Sequence, residues 1–234
     1  MRNLLLASTS TTHGTNYLDH CAGQVRELFA DAHDVLFVPF AIHDHEAYEQ
    51  KAAERFRELG LALRSIHRSQ DPVKAVAEAS GIFIGGGNTF RLLKRLSDRR
   101  LIEPIRERVS GGLPYLGASA GSNVAGLTIK TTNDILIVYP PTFDALQLVP
   151  FNLNPHYLDP DPNSTHMGET RETRIKEFHE ENEPPVVGLR EGAMLRIEGD
   201  SVKLLGERGA RLFQRHQEPI EFEPGASLDF LCVV

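Results

Sequence analysis

The chain reads as an α/β protein, a three-layer α/β/α sandwich with a mostly parallel central sheet and a C-terminal antiparallel meander. Three observations carry this reading. Short apolar runs alternate with amphipathic stretches through the first half, a rhythm that builds a parallel sheet covered on both faces. A Gly-x-Ser-x-Gly turn, residues 117–121, stands between a short apolar run and a helix-like stretch. From Val186 onward the apolar runs are short and closely spaced, as in an antiparallel meander.

In chain order, Leu4–Ala7, Val35–Phe40, Leu61–Ile66 and Gly81–Ile84 read as strands. Between them, Asn16–Phe29, His45–Leu59 and Pro72–Ala79 carry apolar residues at helical spacing. Asp71 before Pro72 is an N-cap followed by a first-turn proline. Helical residues follow Asn88, and Leu101–Val109 continues the pattern up to the strand that feeds Ser119. Segment 139–166 is rich in Pro and Asn, which rules out a long helix and suggests loops around a short strand, Leu146–Leu153. Gly168–Asn182 is again helical, with Ile175 and Phe178 as its core face. Val186–Leu189 is a further strand, and Met194–Glu198, Val202–Leu205 and Ala210–Phe213 follow as the meander.

No repeat, linker or low-complexity tract interrupts the 234 residues, so a single domain over 1–234 is the economical organisation. Net charge is −7 with Lys and Arg interspersed among acids, which argues against nucleic acid or an anionic membrane as partner. Cys21 and Cys232 have no metal-ligand spacing and form no disulfide framework. The N-terminal apolar run is too short for a signal peptide, and no segment reaches membrane-spanning length. A reducing cytoplasm is the expected compartment. Oligomeric state stays open, a homodimer included.

The turn around Ser119 is too tight for large neighbours, and it leaves the hydroxyl at a helix N-terminus where backbone N–H groups can receive an anion. A tightly packed glycine turn without chemistry is the bland alternative. A serine needs a base, and of ten histidines His156 stands out, because it follows Asn154-Pro155 at a strand end. His43 and His45 form a His-Asp-His-Glu cluster that a metal could use, but it lacks a helical i, i+4 face or a partner cluster. A third group must orient the imidazole, and both Asp134 and Glu191 stand beside apolar runs that read as strands. Oxyanion donors are the N–H of Ala120 and the backbone of Gly85-Gly86-Gly87-Asn88. The same loop as a nucleotide-phosphate cradle lacks the required glycine spacing and the Gly-Lys-Ser/Thr ending.

These pieces together closely resemble the aspartyl dipeptidase (peptidase E) family of serine peptidases. The resemblance rests on residues 84–90 (Ile-Gly-Gly-Gly-Asn-Thr-Phe), Ser119-Ala120-Gly121, Thr131–Asp134, Asn154-Pro155-His156, Gly168–Arg171 and Glu191-Gly192, and it covers nearly the whole chain. It implies a flavodoxin-like, class I glutamine amidotransferase-like fold, with serine where those enzymes carry cysteine. It makes Ser119 the nucleophile and His156 the base. Glu191 is preferred over Asp134 as the imidazole's partner, with Asp134 important to the site either way. Gly87 and Ala120 supply the oxyanion hole, Arg171 the recogniser of the substrate's aspartyl carboxylate, and Asn88 a further substrate contact. No metal or organic cofactor is implied. Arg190 stands where many bacterial members carry proline, and Ala118 where a larger residue is common.

The expected activity is release of N-terminal aspartate from Asp-X dipeptides. Two relatives of this reading are a cyanophycinase-like β-aspartyl peptidase and a non-catalytic small-molecule binder on the same fold. An α/β-hydrolase esterase would need a late catalytic histidine, for which His216 is the sole candidate.

Overall fold

Leu4, Leu5, Leu6 and Ala7 are all fully buried, which consecutive strand residues achieve only when both faces of the sheet are covered. They belong to β1 (Asn3–Ala7) in the computed structural model, which describes residues 1–163, 165 and 167–232. With β2 (Val35–Val38), β3 (Leu63–Ser65), β4 (Ile82–Ile84) and β5 (Tyr115–Ala118) it forms a parallel array in the order β3-β2-β4-β5-β1. Alternate residues feed two cores. Leu4, Leu6, Leu36, Ile82 and Ile84 pack on one face, and Leu5, Ala7, Phe37, Phe83 and Leu116 pack on the other.

The C-terminal strands divide between two sheets. β6 (Asn152–Pro155) and β7 (Val186–Leu189) run parallel to each other, whereas β8 (Ala193–Glu198) and β9 (Ser201–Gly206) form a hairpin that extends the central sheet antiparallel to β1. β10 (Ala210–Phe213) pairs antiparallel with β7 and with β11 (Ile220–Phe222), completing a four-stranded sheet in the order β11-β10-β7-β6. The meander strands are therefore present, but they serve both sheets.

Among the helices, α1 (Ala22–Leu28), α2 (His45–Glu58) and α3 (Pro72–Glu78) follow the first three strands. α4 (Thr89–Asp98) and α5 (Ile102–Ser110) lie between β4 and β5, α6 (Ala120–Asn123) follows β5, and α7 (Arg171–Glu181) precedes β7. Capping side chains fix several starts: Asp44 accepts from the Ala47 N–H, Asp71 from Lys74 and Asn88 from Arg91, each at 3.0 Å. Thr170 accepts from Thr173 at 3.1 Å.

Three sequence expectations shift. The helix expected from Asn16 begins only at Ala22, because Leu18 takes a left-handed φ of 57° and a 3₁₀ turn fills Asp19–Cys21. The strand expected over Leu146–Leu153 lies later, as β6. Leu146 and Leu148 are buried through loop backbone bonds to Val124 and Ala125, so their apolar run reports burial without a ladder. Ile135–Val138 is no strand: Ile135 is 79 % exposed, and Asp134 therefore sits in a loop. Within the Pro/Asn-rich segment, Ser164 and His166 lie outside the described residues.

Candidate active site

Because β4, β5 and β1 are parallel neighbours, their C-terminal ends open on one edge of the sheet, where such folds present functional loops. Ser8, the Gly85–Asn88 loop and Ser119 therefore meet. Ser119 takes φ 54° and ψ −111°, a strained conformation that lifts its side chain out of the turn between β5 and α6. The flanking glycines permit the turn: a Cβ on Gly117 would come within 2.6 Å of the Gly121 carbonyl, and one on Gly121 would collide with that of Ile84. Buried polar groups hold the turn in place. Ser122 Oγ lies 2.6 Å from the Ala7 carbonyl and 2.8 Å from that of Gly117, between which it shares its single proton, and the Tyr115 hydroxyl donates to that of Gly121 at 2.6 Å.

His156 and Glu191 are brought together by register. Pro155 pairs with Leu189 across β6 and β7, so the residues just beyond the two strand ends are neighbours. His156 Nδ1 lies 2.7 Å from Glu191 Oε1, and its Nε2 lies 2.9 Å from Ser119 Oγ. An ionised carboxylate only accepts, so Nδ1 carries the proton and Nε2 presents its lone pair to the serine hydroxyl. The order Ser119, His156, Glu191 is thus a continuous hydrogen-bonded relay able to draw a proton from the hydroxyl.

The backbone of His156 has φ 55°. It is held by Ser8, a fully buried residue whose Oγ accepts from the His156 N–H (2.9 Å) and donates to the Leu189 carbonyl (2.8 Å). No motif in the sequence marked Ser8; its place depends on β1 approaching the second sheet.

Asp134 does not bond to His156. Its Oδ2 accepts from the Thr89 N–H at 2.7 Å, at the start of α4, and from Thr132 Oγ1 at 3.3 Å. It nevertheless lines the same cavity as Ser119 and His156. The loop that carries it is tied to β6 by two asparagines: Asn154 Nδ2 donates to the Thr131 carbonyl (2.8 Å), and Asn133 Nδ2 to that of Pro155 (2.7 Å).

The Gly87 N–H and the Ala120 N–H have no protein acceptor among the described residues. Gly87 adopts φ 134°, and a Cβ there would sit 2.6 Å from the Ala41 carbonyl oxygen. Asn88 is occupied at both ends of its amide, accepting from Arg91 and donating to the Ile135 carbonyl at 2.9 Å. Arg171, the first residue of α7, has no ion-pair partner among the described residues. Burial and the Arg174 charge lower its affinity for its proton, and the Asp134 carboxylate acts in the opposite sense, so the two side chains share one electrostatic neighbourhood.

Arg190 is built into the frame of this site. Its Nε and Nη2 each donate at 2.7 Å to Asp159, it bonds Glu221 at 2.9 Å, and its guanidinium faces the Tyr157 ring. The bidentate pair joins the segment after His156 to the segment holding Glu191 and keeps the Asp159 carboxyl below its usual range.

Other histidines lie elsewhere. His45 Nε2 meets the Arg95 guanidinium, and burial together with Arg95 pushes the imidazole down to about 4, so it stays neutral. The tightest cluster of ligand-type groups among the described residues is Glu46, Glu49 and His67 rather than His43 and His45, and Arg68 already pairs with both of its carboxylates. His216 lines a separate depression with His179 and Lys176, away from Ser119. Cys21 is buried, which pushes its thiol up to about 12 and leaves it unreactive.

Residues 4–205 match the family model described as Peptidase family S51. The chain belongs to peptidase family S51. A relative named "Peptidase E" from Streptomyces coelicolor is 50 % identical over 232 residues, covering 99 % of this chain and 96 % of that one. A Drosophila melanogaster protein named "Probable alpha-aspartyl dipeptidase" is 49 % identical, covering 98 % and 97 %. The solved structure of a peptidase from an acI-B1 Actinobacterium shares the fold, with TM-score 0.72 at 17 % identity over 97 % of this chain and 96 % of that one. The S51 assignment favours neither the hydrolase reading built on His216 nor a phosphate-cradling role for Gly85–Asn88.

Proposed function

We propose that this S51 peptidase is a cytosolic serine dipeptidase that releases N-terminal aspartate from Asp-X dipeptides. The observation that carries the reading is the unbroken Ser119–His156–Glu191 relay beside two N–H groups that are unpaired among the described residues. Ser119 Oγ attacks the aspartyl carbonyl carbon while His156 Nε2 takes the hydroxyl proton. The negative charge that develops on the carbonyl oxygen is received by the N–H groups of Gly87 and Ala120. The imidazolium, stabilised by Glu191, gives its proton to the amide nitrogen as the C–N bond breaks, leaving an aspartyl ester on Ser119. Water then attacks the ester with His156 again as base, and aspartate departs.

Arg171 gives the specificity. Its planar fork suits a carboxylate, and a cation without an acidic partner rejects a neutral analogue by losing solvation without replacement. Asn88, with its amide spent on Arg91 and Ile135, shapes the oxyanion loop rather than touching substrate.

The testing experiment is hydrolysis of Asp-Leu beside Asn-Leu, Glu-Leu and β-Asp-Leu, with a chelator present. Cleavage of Asp-Leu alone supports the reading; turnover of the β-linked peptide alone transfers it to the β-aspartyl alternative. Arg171→Ala is expected to lower kcat/KM for Asp-Leu by ~10²-fold and to erase the preference over Asn-Leu. Parallel kinetics on the two dipeptides check this, and a retained preference would remove Arg171 from the site. Gly87→Ala combines a forbidden φ with a Cβ against the Ala41 carbonyl, which displaces the oxyanion donor. A kcat loss of ~10²-fold with little change in KM is expected, read from steady-state kinetics on protein with native circular dichroism.

A further inference from the structure

The cavity beside Ser119, about 600 Å³, extends from Gly86 and Gly87 toward α2. Asp44, Ala47, Tyr48 and Lys51 line it, a spacing of i, i+3, i+4 and i+7 that puts all four on one helical face. The wall is continuous from nucleophile to helix. A Cβ on Gly86 would lie 3.0 Å from Ser119 Cβ, one on Gly85 would collide with the Tyr48 hydroxyl, and Tyr17 and Tyr48 bring their hydroxyls within 3.4 Å. Lys51 Nζ stands over the Tyr17 ring, 4.7 Å from its centroid.

Lys51 is the one cation on this wall, and among the described residues it has no carboxylate at ion-pair distance. Nearby cations are spent: Arg55 on Asp19 and Glu58, Arg68 on Glu46 and Glu49. Asp44, the acid on the same helical face, is engaged as the cap of α2. Arg171 feels the Asp134 carboxylate, which lines the same cavity, so Lys51 and Arg171, neither ion-paired among the described residues, are carried by different elements, α2 and α7. An Asp-X dipeptide carries two carboxylates, the aspartyl side chain before the scissile bond and the C-terminal group after it.

We propose that Lys51 and the Tyr17–Tyr48 wall form the subsite for the leaving residue, with Lys51 recognising its free C-terminal carboxylate. This rests on the dipeptidase reading and supplies its length filter. In a tripeptide that carboxylate becomes an amide, and Lys51 loses its counter-charge. The Lys51 side chain is exposed, so the discrimination is modest and weakens with salt.

The test measures kcat and KM for Asp-Leu and for its C-terminal amide, Asp-Leu-NH₂, in wild type, Lys51→Met and Lys51→Arg at low and high salt. Wild type is expected to prefer the free acid by roughly 2- to 5-fold in kcat/KM, mainly through KM. Lys51→Met, which keeps the stem and removes the charge, should bring the acid-to-amide ratio close to one; Lys51→Arg should retain most of it. A wild type indifferent to the amide, or a ratio unchanged in Lys51→Met, overturns the subsite alone, since Asp-dependent hydrolysis would persist. Hydrolysis of neither substrate by wild type overturns the dipeptidase reading and the subsite together.

Discussion

Ser119→Ala is expected to lower kcat/KM for Asp-Leu by at least ~10⁴-fold while the protein stays folded. The hydroxyl is the only group on the relay that can form the acyl bond, and Ala keeps the Cβ, so the turn geometry survives the change. Removing His156 instead should cost about as much, since the serine without its base is a poor nucleophile and the two act as a unit. The backbone adds an independent arm. With φ 54° and ψ −111°, Ser119 holds strain that any residue with a Cβ shares and glycine does not. Ser119→Gly should therefore unfold at higher temperature than Ser119→Ala, by a margin of about 1 kcal/mol after the entropy of a more flexible unfolded chain is counted. Initial-rate assays on the dipeptide and thermal melts of both variants check the two parts. Full activity in Ser119→Ala would end the covalent mechanism, and equal melting would mean that the turn is relaxed.

How far sequence could see this site follows from which of its parts are local. The elbow is local: glycines at 117 and 121 are demanded by approaches within the turn and against β4, and they are visible as a pentapeptide. The parallel strands were legible because both their faces are covered, so each appears as an unbroken apolar run. β6 defeated the same logic. Its Asn152 and Asn154 are buried, with side chains bonded to Thr128, Thr131 and Asn133, and polar residues on such duty do not look like a strand. For a related reason the residues alone left Glu191 and Asp134 both open, and the preference for Glu191 came only with the family resemblance. Both are acids in loops, and only the pairing of β6 with β7 decides which one reaches the imidazole. Ser8 escapes sequence reasoning altogether, and Arg190 shows in the sequence only as a departure from the family pattern, because each bridges segments far apart in the chain and neither belongs to a motif with chemistry of its own.

Glu191→Gln and Asp134→Asn are expected to separate the two acids that stood as candidate partners of the imidazole. Gln is nearly isosteric with Glu, but its amide can donate to His156 Nδ1, which stabilises the tautomer with the proton on Nε2. That nitrogen then cannot take the serine's proton, and no charge remains to balance an imidazolium. A buried acid in this role is worth ~10⁴-fold in kcat. Glu191 is 57 % exposed, so water replaces part of its effect, and a loss of ~10²–10³-fold is expected, carried by kcat with KM little changed. Asp134 has no bond to the imidazole. Its Oδ2 receives the Thr89 N–H, where a negative charge also favours the N-terminus of α4, and it favours the charged form of Arg171. Asn in its place keeps the acceptor and removes the charge, so kcat should fall by no more than roughly tenfold. Stability should drop by about 0.3–1 kcal/mol. Kinetics of both variants on Asp-Leu, with thermal melts alongside, distinguish these outcomes. The reverse order of effects on kcat would assign the imidazole's partner to Asp134 and imply that the Asp134 loop closes onto His156 when substrate binds.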